Sequence, residues 1–240
     1  MNACMAHRGW SGKAPENTLA AIRMAAEEPG IDAIEIDVQL SKDGVPVVIH
    51  DFTLERTTDG SGFVGDHTYE ELSALDAGSW FSPSFAGERI PSLEEVLQTV
   101  KGKRKLNIEL KRPGNEYEGM EAKVIDLINN HGMESEVMIT SFHHETIRTI
   151  KGMETRIPTG LIIYGKPTLI KEQLQETGAT ILSMAYPYLT PSFISGMIDE
   201  GITMLAWTID HPDHIKRAME LHPQLNIVTN HPDRMFALRT

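Results

Sequence analysis

Two rhythms alternate along the chain. Short aliphatic and β-branched runs occur at roughly 3–7, 32–38, 46–50, 105–110, 137–141, 157–163, 180–184, 203–208 and 225–229, and they predict strands. Between most of them, apolar residues recur every three or four positions. That second rhythm predicts helices near 16–28, 92–100, 118–131, 143–151, 167–177, 191–200, 211–221 and 231–238. Several helices carry start signals: Pro91-Ser92 ahead of Glu94-Glu95, Thr190-Pro191, and Asp210-His211-Pro212.

Strand following helix in this way predicts an α/β protein with a largely parallel sheet. Eight helices and about eight strands favour a (β/α)8 TIM-type barrel over an open doubly wound sheet. No linker or low-complexity tract divides the sequence, so residues 1–240 are expected to form a single domain. Neither GxGxxG nor GxxxxGK[ST] follows a strand, which speaks against a nucleotide-binding fold. Nine runs are one too many for the barrel. The surplus lies in 32–50, where the turn Lys42-Asp43-Gly44 predicts a hairpin extension. Symmetric pairing about that turn would set Asp37 opposite His50. The stretch 51–90, after the third strand, is irregular with one short helical piece near 69–75. It is expected to be an insertion covering the end of the barrel where His50 lies.

Composition narrows the function. The formal net charge of −12 argues against a nucleic-acid partner, which needs a surplus of Lys and Arg. A small phosphate ester needs only a local cluster of cations and is compatible with it. Cys4 is the only cysteine, so no intrachain disulfide forms, and it reads as a small buried residue. The first residues lack the apolar core of a signal peptide, and no apolar run approaches the ~20 residues of a membrane span. A cytoplasmic protein without stable membrane insertion is expected; the oligomeric state is open.

The chemistry concentrates in a few places. In Ile34-Glu35-Ile36-Asp37-Val38 the alternation puts Glu35 and Asp37 on one face of a strand. In Leu106-Asn107-Ile108-Glu109-Leu110-Lys111 it does the same for Asn107, Glu109 and Lys111. On half-exposed strands these would be solvated faces, with Glu109 and Lys111 as a surface ion pair. Inside a barrel, such acids make poor core. If Glu35, Asp37 and Glu109 converge, each carboxylate pair ~5 Å apart costs about 3 kcal/mol at an effective dielectric near 20. Proton uptake or a cation must relieve that, and three hard oxygen ligands without Cys suit Mg2+ or Ca2+.

Of the ten histidines, His131, His222 and His231 read as helix-end or loop residues. The pairs His143-His144 and His211-x-x-His214 suit a soft metal but lack nearby partners. His7 and His50 each end an apolar run, in Met5-Ala6-His7-Arg8-Gly9 and Val47-Val48-Ile49-His50-Asp51, where one imidazole can take a proton and the other deliver one. Arg8 and Lys111 supply positive charge for a phosphodiester, with Arg8 alternatively a structural partner for Glu16.

Together these residues resemble the glycerophosphodiester phosphodiesterase family. The resemblance rests on His7-Arg8-Gly9, Pro15-Glu16-Asn17-Thr18, Glu35-Ile36-Asp37-Val38, Lys42-Asp43-Gly44 and His50-Asp51. It continues through Arg56-Thr57-Thr58-Asp59-Gly60, Ile90-Pro91-Ser92-Leu93, Glu109-Leu110-Lys111, Ser141-Phe142, Trp207-Thr208 and Thr229-Asn230-x-Pro232-Asp233. These motifs fall in family order and span nearly the whole chain.

The resemblance implies an α/β barrel with one divalent cation, Mg2+ or Ca2+, on Glu35, Asp37 and Glu109. It implies that His7 and His50 are general acid and base and that Arg8 and Lys111 hold the phosphate. The substrate would be a small glycerophosphodiester, split into glycerol 3-phosphate and an alcohol. Trp207, on the inward face with Leu205, would line the glycerol pocket or belong to the core. Two positions depart from the common pattern: Asp210 stands where Asn is expected, and Asn230 where Asp is usual. Neither belongs to the expected metal site, so little effect on the chemistry is expected. The rival readings are a lysophospholipase D or phosphatidylinositol-phospholipase-like enzyme, and a catalytically silent phosphate- or polyol-binding protein.

Overall fold

A computed structural model describes residues 2–112, 117–153 and 156–239. Eight parallel strands close into a barrel: β1 (Cys4–Ala6), β2 (Ala33–Leu40), β4 (Lys105–Leu110), β5 (Val137–Ser141), β6 (Thr159–Ile163), β7 (Ile181–Ala185), β8 (Thr203–Trp207) and β9 (Asn226–Thr229). Closure comes from β1, which pairs in parallel with both β2 and β9. The surplus run is β3 (Pro46–Val48), which lies antiparallel on β2 outside the ring.

The helices follow the strands: α1 (Leu19–Glu27), α2 (Tyr69–Ala74), α3 (Leu93–Val100), α4 (Met120–His131), α5 (His144–Gly152), α6 (Ile170–Thr177), α7 (Pro191–Asp199), α8 (Pro212–Leu221) and α9 (Pro232–Phe236). Ser92 opens α3 with a capping box, its side chain accepting from the Glu95 N–H while Glu95 reaches back to the Ser92 N–H. No helix among the described residues is long and apolar enough to cross a membrane.

Alternation along the strands divides the core in two. Outward residues such as Ile34, Ile36, Val38, Leu106 and Ile108 are fully buried under Ile22, Leu93, Leu97 and Val124 of the helices. Each contributes about 1.5–3 kcal/mol by leaving water. Inward, Met5, Ala33, Ile181, Leu205 and Val228 pack with Met138 and Trp207. They form an apolar floor, and polar side chains occupy the barrel above it.

Several boundaries differ from the sequence reading. Helix α1 starts at Leu19 rather than 16, because Asn17 adopts a left-handed conformation (φ +60°) and Thr18 takes the N-cap. Strand β3 stops at Val48, two residues early. The hairpin register is also one residue off the expected one. Val38 pairs with Val48, and the Ile49 N–H donates to the Asp37 carbonyl at 3.0 Å, so Asp37 faces Ile49 and not His50. The cause is a connection of odd length, closed by Ser41 N–H donating to the Val45 carbonyl.

Gly160 shows how tightly the barrel interior is filled. A Cβ there would lie 2.7 Å from the Cβ of Ile181 and 3.0 Å from Cγ2 of Thr140. Both atoms sit close to neighbouring strand backbones and have little room to yield. Gly160→Val is therefore expected to destabilise the protein by about 1–3 kcal/mol, read as a lower urea midpoint at unchanged slope. An unchanged midpoint would mean that the interior has slack at this level.

Candidate active site

The C-terminal ends of β1, β2 and β4 deliver the chemistry. After β1 the chain turns through two left-handed residues, Arg8 (φ +57°) and Gly9 (φ +76°). Gly9 is required there, since a Cβ would lie 2.7 Å from the backbone of Ala21 in α1. Arg8 bears the strain of a positive φ and is held by three bonds. Its N–H donates to Glu35 Oε2 at 2.9 Å, its carbonyl accepts from the Asn17 N–H at 3.0 Å, and its Nη1 donates to Glu16 at 2.7 Å.

Parallel pairing sets Glu35 beside Asn107 and Asp37 beside Glu109, all facing inward. Carboxylate oxygens of Glu35, Asp37 and Glu109 lie within 4.8 Å of one another, with the residues at most 9% exposed. The expected trio therefore does meet. It is the one three-ligand group among the described residues; His211 and His214 lie with tilted rings, centroids 5.4 Å apart, and form no three-ligand group.

His7 and His50 line the same cavity, of about 170 Å³, with Arg8, Lys111, Phe142 and Trp207. A larger hollow of about 590 Å³ lies beside the hairpin turn, around Lys42, Phe52 and Phe63, and has no histidine among its described lining. His50 reaches the cavity from a loop beyond β3. The amide of Gln39, next on the inward face after Glu35 and Asp37, donates to the carbonyls of Ile49, His50 and Asp51 at 3.0, 3.1 and 2.7 Å and so fixes that loop.

The charges do not balance locally. Lys111 sits 2.8 Å from Glu109 and 3.6 Å from Asp37, and Arg8 Nε sits 3.2 Å from Asp37. Two cations face three acids. Burial, then the negative charges of Asp37 and Glu109, push Glu35 well above the usual carboxylate range. Burial and Asp37 push Glu109 up to about 7. Burial acts on Asp37 as well, but Arg8 and Lys111 outweigh it and hold that carboxyl low. His7 is pushed down to about 4, by burial and by Arg8. Burial also lowers His50, against the opposing pull of Asp37 and Asp51.

One buried atom marks what the cluster lacks. Glu35 Oε1 has no hydrogen-bond partner, an arrangement that costs roughly 1–3 kcal/mol or more. An orphaned carboxylate oxygen among three hard donors fits a divalent cation, and the buried triad can hold one.

The sequence reading missed the residues that hold the histidines. His50 Nδ1 lies 2.6 Å from Asp51 Oδ1, and Arg56 grips Asp51 at 2.5 and 3.0 Å while also binding Glu16. His7 Nδ1 lies 2.7 Å from Asn230 Oδ1, and Asn230 rests on Asp210. The two departures from the family pattern thus adjoin the site after all, through His7. The closed barrel brings β9 against β1, a contact no local motif displays. Asn17, quoted only as part of a motif, donates to Asp37 Oδ2 at 2.9 Å.

If the trio binds a cation, Glu35→Gln should stabilise the metal-free protein by relieving like-charge crowding. It should also abolish the rise in melting temperature that Mg2+ or Ca2+ gives the native chain. A cation response left intact in this variant would exclude Glu35 as a ligand.

Comparison with known proteins agrees with this geometry. The model of the glycerophosphoryl diester phosphodiesterase family matches residues 7–234. A glycerophosphodiester phosphodiesterase of Caldanaerobacter subterraneus is 40% identical over 235 residues, covering 98% of this chain and 96% of that protein. One from Bacillus altitudinis is 34% identical over 100% of this chain and 98% of its own. Among solved structures, an Oleispira antarctica phosphodiesterase in complex with the product sn-glycerol-3-phosphate superposes with a TM-score of 0.94. It is 30% identical and covers 100% of this chain and 98% of that one. The chain belongs to the glycerophosphoryl diester phosphodiesterase family.

Proposed function

We propose that this chain hydrolyses glycerophosphodiesters to glycerol 3-phosphate and an alcohol, with His7 and His50 as general acid and base and Mg2+ or Ca2+ on Glu35, Asp37 and Glu109. The observation that carries this reading is the meeting, in one cavity at the C-terminal end of the barrel, of two imidazoles with Glu35 and Glu109, which cluster with the buried Asp37 behind them. The likeness to an Oleispira antarctica phosphodiesterase that holds sn-glycerol-3-phosphate supports the same product here.

When bound, the cation supplies positive charge to the non-bridging phosphate oxygens as negative charge builds on them. Lys111 and Arg8 add fixed positive charge on the same side, and their own carboxylate partners hold them in place. One histidine removes the proton of the nucleophile, either water or the substrate's own glycerol hydroxyl. The other protonates the leaving alkoxide. Trp207 and Phe142, packed edge to face with centroids 5.6 Å apart, wall the cavity on its apolar side and suit the glycerol carbons. Lysophospholipase D activity is a second reading, favoured by the exposed Phe142, Tyr164 and Leu169. Tyr164 continues the aromatic wall, with its ring centroid 6.2 Å from that of Trp207.

The test is release of glycerol 3-phosphate from glycerophosphocholine and glycerophosphoethanolamine, with Mg2+, with Ca2+ and with excess EDTA, beside a lysophospholipid arm. Turnover is expected to vanish with EDTA and return with one cation. His7→Ala and His50→Ala should each lower the rate by roughly 10²–10⁴. Near-normal activity in both variants would sink the acid–base assignment. Silence with every cation would leave a binding protein or another ester as the substrate.

A further inference from the structure

The edge of the His7 ring opposite Glu35 is held by a chain of side chains whose donors and acceptors admit one arrangement. Asp210 anchors it. Its Oδ1 accepts from the Asn230 N–H at 2.9 Å and from the Thr229 hydroxyl at 3.0 Å, and its Oδ2 lies 2.7 Å from Asn230 Nδ2. An ionised carboxylate only accepts, so the Asn230 amide must turn its nitrogen to Asp210. The reversed amide would press two oxygens together at that distance. Asn230 Oδ1 therefore faces His7 Nδ1 at 2.7 Å, with Ser11 Oγ also at 2.7 Å. An amide oxygen accepts only, so the proton of the neutral His7 ring sits on Nδ1. The lone pair is then on Nε2, which lies 3.8 Å from Glu35 Oε2 on the cavity side.

We propose that Asp210 and Asn230 are positioning residues that lock His7 in its Nδ1–H tautomer, which makes Nε2 a proton acceptor and His7 the base of the pair. This rests on the reading of His7 and His50 as the acid–base couple. The contrast with His50 gives the couple its direction. His50 Nδ1 faces a carboxylate, Asp51, which supports a protonated ring, whereas His7 faces a neutral amide. In the reaction the nucleophile's O–H bond breaks, its proton passes to His7 Nε2, and its oxygen forms the new bond to phosphorus. The bond from phosphorus to the leaving oxygen breaks, and that oxygen takes the proton carried by His50. Exchange with water restores both rings.

Two readouts test the relay, one of them independent of turnover. In metal-free protein labelled with 15N-histidine, NMR of the neutral His7 ring is expected to show the proton on Nδ1 in the native chain. In Asp210→Asn the amide at 230 is no longer oriented, so that signature should be lost. The same variant should lower kcat by roughly 10–100-fold with KM little changed. The interchange D210N/N230D puts an acceptor-only carboxylate directly against Nδ1 and should restore the Nδ1–H signature. A proton found on Nε2 of His7 in the native chain overturns the proposal, as does full kcat in Asp210→Asn. If Asp210→Asn fails to fold, the native spectrum alone decides. Loss of the acid–base reading is distinguishable, because activity retained in His7→Ala and His50→Ala would leave the ring spectrum untouched.

Discussion

The site is organised by a like-charge conflict that the sheet itself imposes. Once β2 and β4 pair in parallel with Asp37 beside Glu109, and side chains alternate, Glu35 has nowhere to point but the same interior. Three buried carboxylates within 4.8 Å of one another threaten an appreciable part of the stability of a domain, which amounts to about 5–15 kcal/mol. Much nearby geometry answers this. Lys111 lies along the cluster, the chain turns left-handed at Arg8 to bring its N–H to Glu35 and its guanidinium to Asp37, and Asn17 donates its amide. Two cations against three acids leave the cluster short of positive charge, and such a group can hold a cation.

The irregular stretch 51–90 behaves as a second, smaller structure tied to this cluster. Leu54, Val64, Leu72, Ala77 and Ile90 pack with Val47 and Ile49 in an apolar core of their own. Arg56 bridges Asp51 and Glu16, so the loop that carries His50 is linked to the loop after β1 that carries His7 and Arg8. The Glu88 carboxylate accepts from the Ala20 N–H in the first turn of α1. The orientation of each histidine is thus set by contacts that span several connections.

Local chemistry was legible in the sequence, and contacts set by barrel closure were not. The run Lys105–Leu110 and the acids of β2 announced themselves because alternation is a local signal. His7 and His50 were visible because each ends an apolar run. The hairpin register was misjudged by one residue, since a turn's sequence gives its presence more readily than its length. The positive φ at Asn17, which shortened α1, follows from its bonds to the Asp37 amide and carboxylate, 20 residues away. Gln39 shared the alternation of Glu35 and Asp37 and was within reach of the same reasoning. Asn230 and Asp210 were noticed for their identity, while their link to His7 appears only once β9 lies against β1.

The pairing of β1 with β9 also bears on the order in which the site comes into being. The carboxylate trio needs only β2 and β4, which are neighbours both in the barrel and among its parallel strands in sequence. The hydrogen bond from His7 to Asn230 spans 223 positions, and a contact of that separation is among the slowest a folding chain can make. A chain folded only as far as β2 and β4 can bring the three carboxylates together while His7 still lacks Asn230. The His7 side of the cavity therefore closes only with the last stave of the barrel, so a clustered carboxylate trio is not by itself a sign that the whole site is assembled.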